Sequence, residues 1–471
     1  MKGRFAIFCC VLLLLVPAST SAGTAIKSTE QDQKSVEVTV YNSNLGLIKD
    51  TRLIDIPTGS GELRFMDVAA SIVPVTVHVA PQRGPGDFIV LEQNYEYDLM
   101  NADKLLDKYV GKEIKIIDWN RYHDRKDVIQ AELLSNNDGQ IYRIDGEIYL
   151  GHPGFKVLPE LPENLIAKPT LTWLYENTKQ SPCALEVSYL TGNISWEADY
   201  IMVLNEDDRK ADLSGWVTID NRSGAGYREA TLKLIAGEIH RAEEVGRDRA
   251  VLAEMVAKAA PQFEEKAFFE YHIYDLQRKT TIKDRQTKQI RLFEAADVSV
   301  EKELLVYGST GYFTRQYREK NPEQPVAVYV FFQNSLQNNL GIPLPEGTIR
   351  LYKKDAAGSQ QFIGEDRIRH TPKDEKVRLK VGEAFDVVAE RKQTDFQQKT
   401  SQLFESQWEV KVRNHKMEDV VVGIIEPLYG NWSILRSSHS YRKLDAFTIR
   451  FDVTVPADGE VTVTYRVRVG L

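Results

Sequence analysis

Apolar and polar residues alternate along much of the chain. Val36, Val38 and Val40 do so near the start, and Val461, Val463, Tyr465, Val467 and Val469 near the end. A period of two buries one row of side chains and wets the next, the pattern of antiparallel sheets. Turn signals separate these runs, in IPTGSGELRF, SNNDGQIYRIDGEI, PLPEGTIRLY and VPADGEVTVTY. Each supplies Gly or Pro where a strand must reverse. Such runs outnumber helical patterns several to one. The expected fold is mainly β, with several antiparallel β-sandwich units of immunoglobulin-like character and a small helical insertion.

A short pattern, apolar-x-apolar-x-Asn, recurs at Val38-Val40-Asn42, Ile201-Val203-Asn205, Val217-Ile219-Asn221, Val330-Phe332-Asn334 and Val410-Val412-Asn414. Asparagine bonds readily to nearby backbone and suits the point where a strand leaves its sheet. Recurrent exits of this kind fit stacked sandwiches. Helical signals are few. Residues 102–109 (ADKLLDKY) read as one short helix, capped by Asn101 and stopped by Gly111. Residues 249–268 (RAVLAEMVAKAAPQFEEKAF) read as an exposed helical insertion that Pro261 breaks or kinks.

These signals divide the chain at its Pro-rich and charged stretches. A leader covers 1–22, a β-unit 23–95, and a short helix with a small β-barrel-like unit 96–165. A central β-region with the insertion near 249–268 covers 166–300, and a C-terminal sandwich 301–471. Lys2 and Arg4 precede an apolar run from Phe5 to Val16, and PASTSA closes the leader. This is the build of a secretory signal peptide, with cleavage expected between Ala22 and Gly23. Twelve apolar residues are too few to cross a hydrocarbon core, which takes roughly 20. Cys9 and Cys10 lie inside the apolar run with no small residues just before them, so a lipid anchor is not expected.

The full chain has 471 residues and a formal charge of −8, from 68 acids and 60 bases. Removing the leader takes away two bases, so the mature charge becomes 58 − 68 = −10, and two of three cysteines depart. Cys183 then stands alone and is expected to be a buried, inert thiol. A basic excess is missing, which argues against nucleic acid and anionic lipid as partners. No transmembrane segment is expected after cleavage, and the expected location is periplasmic or extracellular.

Templates for chemistry do not match. The eight histidines form no H-x-x-x-H or H-x-H pair, and HExxH, CxxC and EF-hand patterns are missing, as are P-loop, Rossmann and nucleophile-elbow motifs. No catalytic residue, metal ligand or cofactor site is assigned. Glu365 and Asp366 in GEDRIRHTP are adjacent acids on a strand, so they point to opposite faces and do not make a glycosidase pair. Of six tryptophans, Trp216 and Trp408 begin strands in phase with buried positions. Trp432, between LYGN and SIL, is the best candidate for an exposed binding aromatic. Asn193, Asn221 and Asn431 lie in N-x-Ser sequons, relevant only in a host that glycosylates them.

The segments SYLTGNISWEADYIMVL and GWVTIDNRSGAGYREATLKLIAGE, then EYHIYDLQRKTTIKDRQTKQIRLF, LPEGTIRLYKKD, VGEAFDVVAERKQ and WEVKVRNHK, occur in order from Leu185 onward. Together they resemble a bacterial family known as a domain of unknown function, which also forms the C-terminal part of mucoidy-inhibitor-like proteins. The segment NSNLGLIKDTRLIDIPTGSGELRFMDVAA looks familial too. This chain lacks the long heptad-rich coiled coil of the mucoidy-inhibitor-like form. The resemblance implies an exported β-rich protein and brings no activity, cofactor or site residue. The expected function is a non-catalytic envelope protein that binds another protein or envelope component. The alternatives are a carbohydrate binder or glycan hydrolase with carboxylates assembled in space, and, less favoured, an outer-membrane barrel.

Overall fold

The computed structural model describes residues 25–82, 87–96, 101–120, 125–160, 168–179, 182–237, 263–268, 271–317, 323–355 and 357–471. The described chain is mainly β, with one α-helix among the described residues, Ala102–Asp107. No helix there is long and apolar enough to cross a membrane. The leader, including Ala22 and Gly23, lies outside the described residues, as do 249–262 of the expected insertion. Its last six residues correct the helical reading: Phe263–Phe268 is a strand paired antiparallel to Tyr271–Leu276. The neighbouring strand supplies the partner that local helix propensity could not anticipate.

The described residues form two compact units, one of those up to 36 with those between 48 and 190, and one of 37–47 with those from 191 onward. In the first, strand Gly59–Met66 lies between Ile26–Ser28, parallel, and Thr170–Asn177, antiparallel. Register places Leu171 against Phe65 and Trp173 against Leu63, and all four are buried. Arg52 is buried with them, stacked 3.6 Å from the Phe65 ring centre and paired to Asp50 at 2.8 Å. Cys183, expected to be buried, is half-buried at the start of its strand.

A separate five-stranded antiparallel sheet in this unit runs Glu147–Leu150, Ile141–Ile144, Arg125–Ser135, Glu113–Asn120 and Phe155–Val157. The helix packs its Leu106 on one face, with Tyr109, Ile114, Ile116, Leu133 and Tyr142. Asn101 caps it by accepting from the Lys104 amide at 2.9 Å, as its sequence predicts. The ladder stays open instead of closing as a barrel. Its two end strands have four and three residues and each has one neighbour among the described residues.

In the second unit, strand Gln286–Tyr307 runs across the domain boundary expected at 300. Its first half pairs with Lys210–Asn221, and its second half with Glu323–Gln333 on one side and Val420–Pro427 on the other. From there two ladders diverge. One continues through Lys376–Gln398, Leu403–Asn414, Gly459–Gly470 and Asn431–Ser437, and the other through Thr448–Val455 to Arg442–Asp445. Trp408, Val410, Val463 and Val467 from the first ladder share a core with Val422, Ile424, Phe451 and Val453 from the second. This is a face-to-face sandwich. Trp408 is fully buried there, as its phase predicts, and donates to Ser406 Oγ at 2.9 Å. Trp216 differs from expectation: the buried row is Leu213, Gly215, Val217 and Ile219. A bulge at Gly215/Trp216 accompanies this register, and the Trp216 ring lies half-exposed against Arg291, 5.4 Å away.

Candidate functional site

The asparagine exits show why strand ends, more than strand middles, build local structure here. Asn414 donates to the Glu418, Val455 and Pro456 carbonyls and accepts from the Lys416 amide. Asn334 joins the Ile342 and Pro372 carbonyls and the Gly341 amide, and Asn221 joins the Ala225 and Lys283 carbonyls and Ser223. Asn205 accepts from the Arg209 and Lys210 amides. Asn42 differs. Its Nδ2 donates to the Trp196 carbonyl at 3.1 Å, but its buried Oδ1 has no partner among the described residues.

Asn42 lines a cavity of about 510 Å³ in the second unit. One wall is a cross-strand polar patch: Ser195 stands opposite Asp220, and Glu197 opposite Thr218, in the antiparallel register of Ile194–Leu204 with Lys210–Asn221. Alternation assigns these side chains. Ile194, Trp196, Ala198 and Tyr200 are buried, so the residues between them face the other way. Trp196 reaches the cavity margin while its indole N–H is fixed on the Ile235 carbonyl at 3.1 Å.

Glu346, Arg367 and His370 also line the cavity. Strand Gly347–Lys354 runs parallel to Ile194–Leu204, and Gly347 sits opposite Ala198. A Cβ on Gly347 would come within 2.0 Å of the Ala198 carbonyl oxygen, so only glycine permits this approach beside Glu346. Arg367 Nη2 meets Glu346 Oε1 at 2.7 Å. Glu346, aided by the Glu197 charge, raises the Arg367 guanidinium above its ordinary range. His370 Nδ1 accepts from the Glu346 amide at 3.1 Å, which leaves the proton of a neutral ring on Nε2. Asp220 is held by Arg222 at 3.0 Å and accepts from the Thr287 hydroxyl at 3.3 Å.

A second cavity, about 280 Å³, shares Gly237 and His370 with the first. Its lining is less polar and includes Tyr274, Pro343 and Pro345. Tyr274 donates to the Pro343 carbonyl at 2.9 Å, and burial, reinforced by the Glu265 charge, raises its phenol. His272 Nδ1 lies 2.6 Å from Glu265 Oε1. Together the cavities offer donors in Arg367 and the serine and threonine hydroxyls, and acceptors in Glu197 and Asp220. Among the described residues no three His, Cys, Asp or Glu side chains gather as a metal site.

The residues singled out by sequence fall elsewhere. Trp432 is half-buried on strand Asn431–Ser437, at no loop tip and outside both cavities. Its indole N–H donates to the Ala446 carbonyl at 2.9 Å, and Lys443 Nζ covers the ring at 4.5 Å. The most exposed tryptophan is Trp119, on the five-stranded sheet. Glu365 pairs with Arg350 at 3.3 Å, and Asp366 accepts the Lys380 amide at 2.7 Å, so both serve structure. The same GEDRIRHTP segment nevertheless supplies Arg367 and His370 to the cavity. Sequence carried no signal for Glu197, Asp220 or Glu346, which meet only through strand register.

Residues 185–469 match the model of a family described as a domain of unknown function (DUF4139), well over half of the chain. The match spans every cavity-lining residue named above except Asn42. No curated protein matches the chain. By the length and position of that match, the chain belongs to the DUF4139 family.

Proposed function

We propose that this chain is an exported, non-catalytic binding protein of the bacterial envelope, and that the larger cavity of its second unit receives a polar envelope component. The observation that carries this reading is the convergence of donors and acceptors on one cavity with their orientations already fixed. Trp196, Arg367, His370 and Asp220 are each held by a bond to another part of the unit. Preorganised groups of both kinds suit recognition of hydroxyls and amides. The leader and the resemblance to mucoidy-inhibitor-like proteins support the envelope setting. N-terminal sequencing of the mature chain is expected to begin at Gly23, and a chain recovered with its leader in the cytoplasm would oppose export.

Binding is tested by calorimetric titration with muropeptides, which carry sugar hydroxyls and peptide amides together. Saturable binding is expected, weakened at least tenfold by Arg367→Ala, with the ligand recovered unchanged. Glycan hydrolysis is the second reading, because Glu197, Asp220 and Glu346 line one cavity. Two of these acids are already paired with arginine, an arrangement unlike an acid and a base left opposed across a glycosidic bond. Release of new reducing ends from the muropeptides would favour hydrolysis over binding.

A further inference from the structure

The sandwich of the second unit ends on one side in two edge strands. Among the described residues, Asn431–Ser437 pairs only with Gly459–Gly470, and Arg442–Asp445 only with Thr448–Val455. Such edges present unpaired backbone N–H and C=O groups. Trp432 and Ala446 tie the two edges through the indole hydrogen bond, and the Leu428 amide donates to the Phe447 carbonyl at 2.6 Å. Those bonds gather Tyr429, Trp432, Lys443 and Phe447 in one place, with the Tyr429 and Phe447 rings more than half exposed.

The edge carries a small basic excess. Residues 429–447 contain Arg436, Arg442 and Lys443 against Asp445, a local sum of 3 − 1 = +2 in a chain of −8. Arg442 is paired with Asp452 at 3.1 Å. Arg436 and Lys443 have no carboxylate partner among the described residues. A bulge between Ile434 and Arg436 turns Leu435 and Arg436 outward together. Lysines and bulges alone would guard an edge against unwanted pairing. A guard of that kind has no use for Tyr429, Leu435 and Phe447 in water, whereas a docking edge does.

We propose that this edge docks an extended acidic segment of a partner protein. The segment adds to strand Asn431–Ser437 by main-chain hydrogen bonds, sets carboxylates on Arg436 and Lys443, and covers the exposed rings. Backbone pairing favours a polypeptide over a sugar or a headgroup, because only an extended chain matches the row of edge amides and carbonyls. This surface is independent of the cavity.

The test uses the full chain and a fluorescein-labelled peptide of alternating glutamate and valine. An alternating lysine–valine peptide, an oligo-uronate and phosphatidylglycerol vesicles serve as comparisons. Expected are a saturable anisotropy rise with the glutamate peptide alone and slowed amide exchange over 431–437 in the complex. Arg436→Glu with Lys443→Glu should weaken binding at least tenfold, and Lys443→Arg should preserve it. Arg367→Ala should leave it unchanged, which separates failure of this edge from failure of the cavity. Both substituted side chains are exposed, and an unchanged far-UV spectrum checks the fold. Absent peptide binding, equal binding by the double variant, or capture of uronate or vesicles without exchange protection overturns the proposal. Self-association abolished by the double variant would assign the edge to a second copy of the chain and overturn it as well.

Discussion

The cavity and the sandwich belong to the same unit and share the same strand grammar, yet they treat polar groups oppositely. In the sandwich, polar side chains turn inward and are sealed. Arg391 and Glu426 form an ion pair with both side chains fully buried, and Arg391 also donates to Gln324 at 3.0 Å and to the Tyr465 hydroxyl at 3.3 Å. Gly308 makes room, because a Cβ there would lie 2.0 Å from Glu426 Oε2. In the cavity wall, carboxylates and an arginine remain at the surface of an open volume. The two asparagine exits also differ: Asn414 has its amide nitrogen and oxygen bonded, whereas the buried Asn42 oxygen has no partner among the described residues, as is true of Arg391 Nη2 and Glu426 Oε2. Identical local patterns therefore end in different bonding, and the neighbours of the strand end decide which.

The largest expected effect breaks the sealed pair. Glu426→Ala strands a buried guanidinium and should cost about 3–5 kcal/mol in a denaturant titration. Replacing both residues, as Arg391→Met with Glu426→Leu, should recover most of that loss because no uncompensated charge remains. A double variant as unstable as the single one would show that the pair is not the source of the effect.

Asn414→Ala should cost about 1–3 kcal/mol, since it unbonds buried carbonyls at a strand crossing. Asn42→Ala removes one donor bond and an unbonded oxygen, so it should cost less in the same titration. Equal losses would make the cavity asparagine as structural as its counterpart.

Acid sharpens the comparison further. Arg468, followed by Arg466, holds the Glu405 carboxyl below its ordinary range against an opposing contribution from burial. Burial alone would raise Asp208 and Asp452, but Lys302 with Lys353, and Arg450 with Arg442, more than reverse it. The folded pKa of each lies below its unfolded value. Their stabilisation is therefore complete above about pH 5 and is lost as the pH falls through the folded values. Thermal unfolding between pH 6 and pH 2 should show that decline, and Glu405→Gln should flatten it.

The smallest stability effect is expected at the cavity. Glu346 and Arg367 are an exposed pair, so Glu346→Gln should change stability by less than about 1 kcal/mol. The same substitution should weaken muropeptide binding, because it releases Arg367 from its position. Lost stability with intact binding would reverse the roles assigned to the two regions.

Much of the fold was legible in the alternation of valines and in the turn residues, and the Asn101-capped helix was legible from its cap, though it ends at Asp107, two residues before the expected end. The asparagine exits were visible as a pattern, but which of them faces a cavity depends on what packs beside the strand end. Trp216 escaped because Val217 and Ile219 set the buried row, which runs back through Gly215, and strict alternation puts Trp216 on the opposite face. Phe263–Phe268 escaped because a strand needs its neighbour, which local composition does not contain. The cavity was hardly legible at all. Ser195 meets Asp220 across a hairpin, while Glu346, Arg367 and His370 come from a segment more than a hundred residues later in the chain.

The role of the cavity is tested most directly by calorimetric titration of muropeptides into the intact protein and its Arg367→Ala variant, with analysis of the recovered ligand. Saturable binding, at least a tenfold loss in the variant, and ligand returned unchanged are expected. Binding indifferent to Arg367, or none at any concentration reached, would contradict the assignment of this cavity.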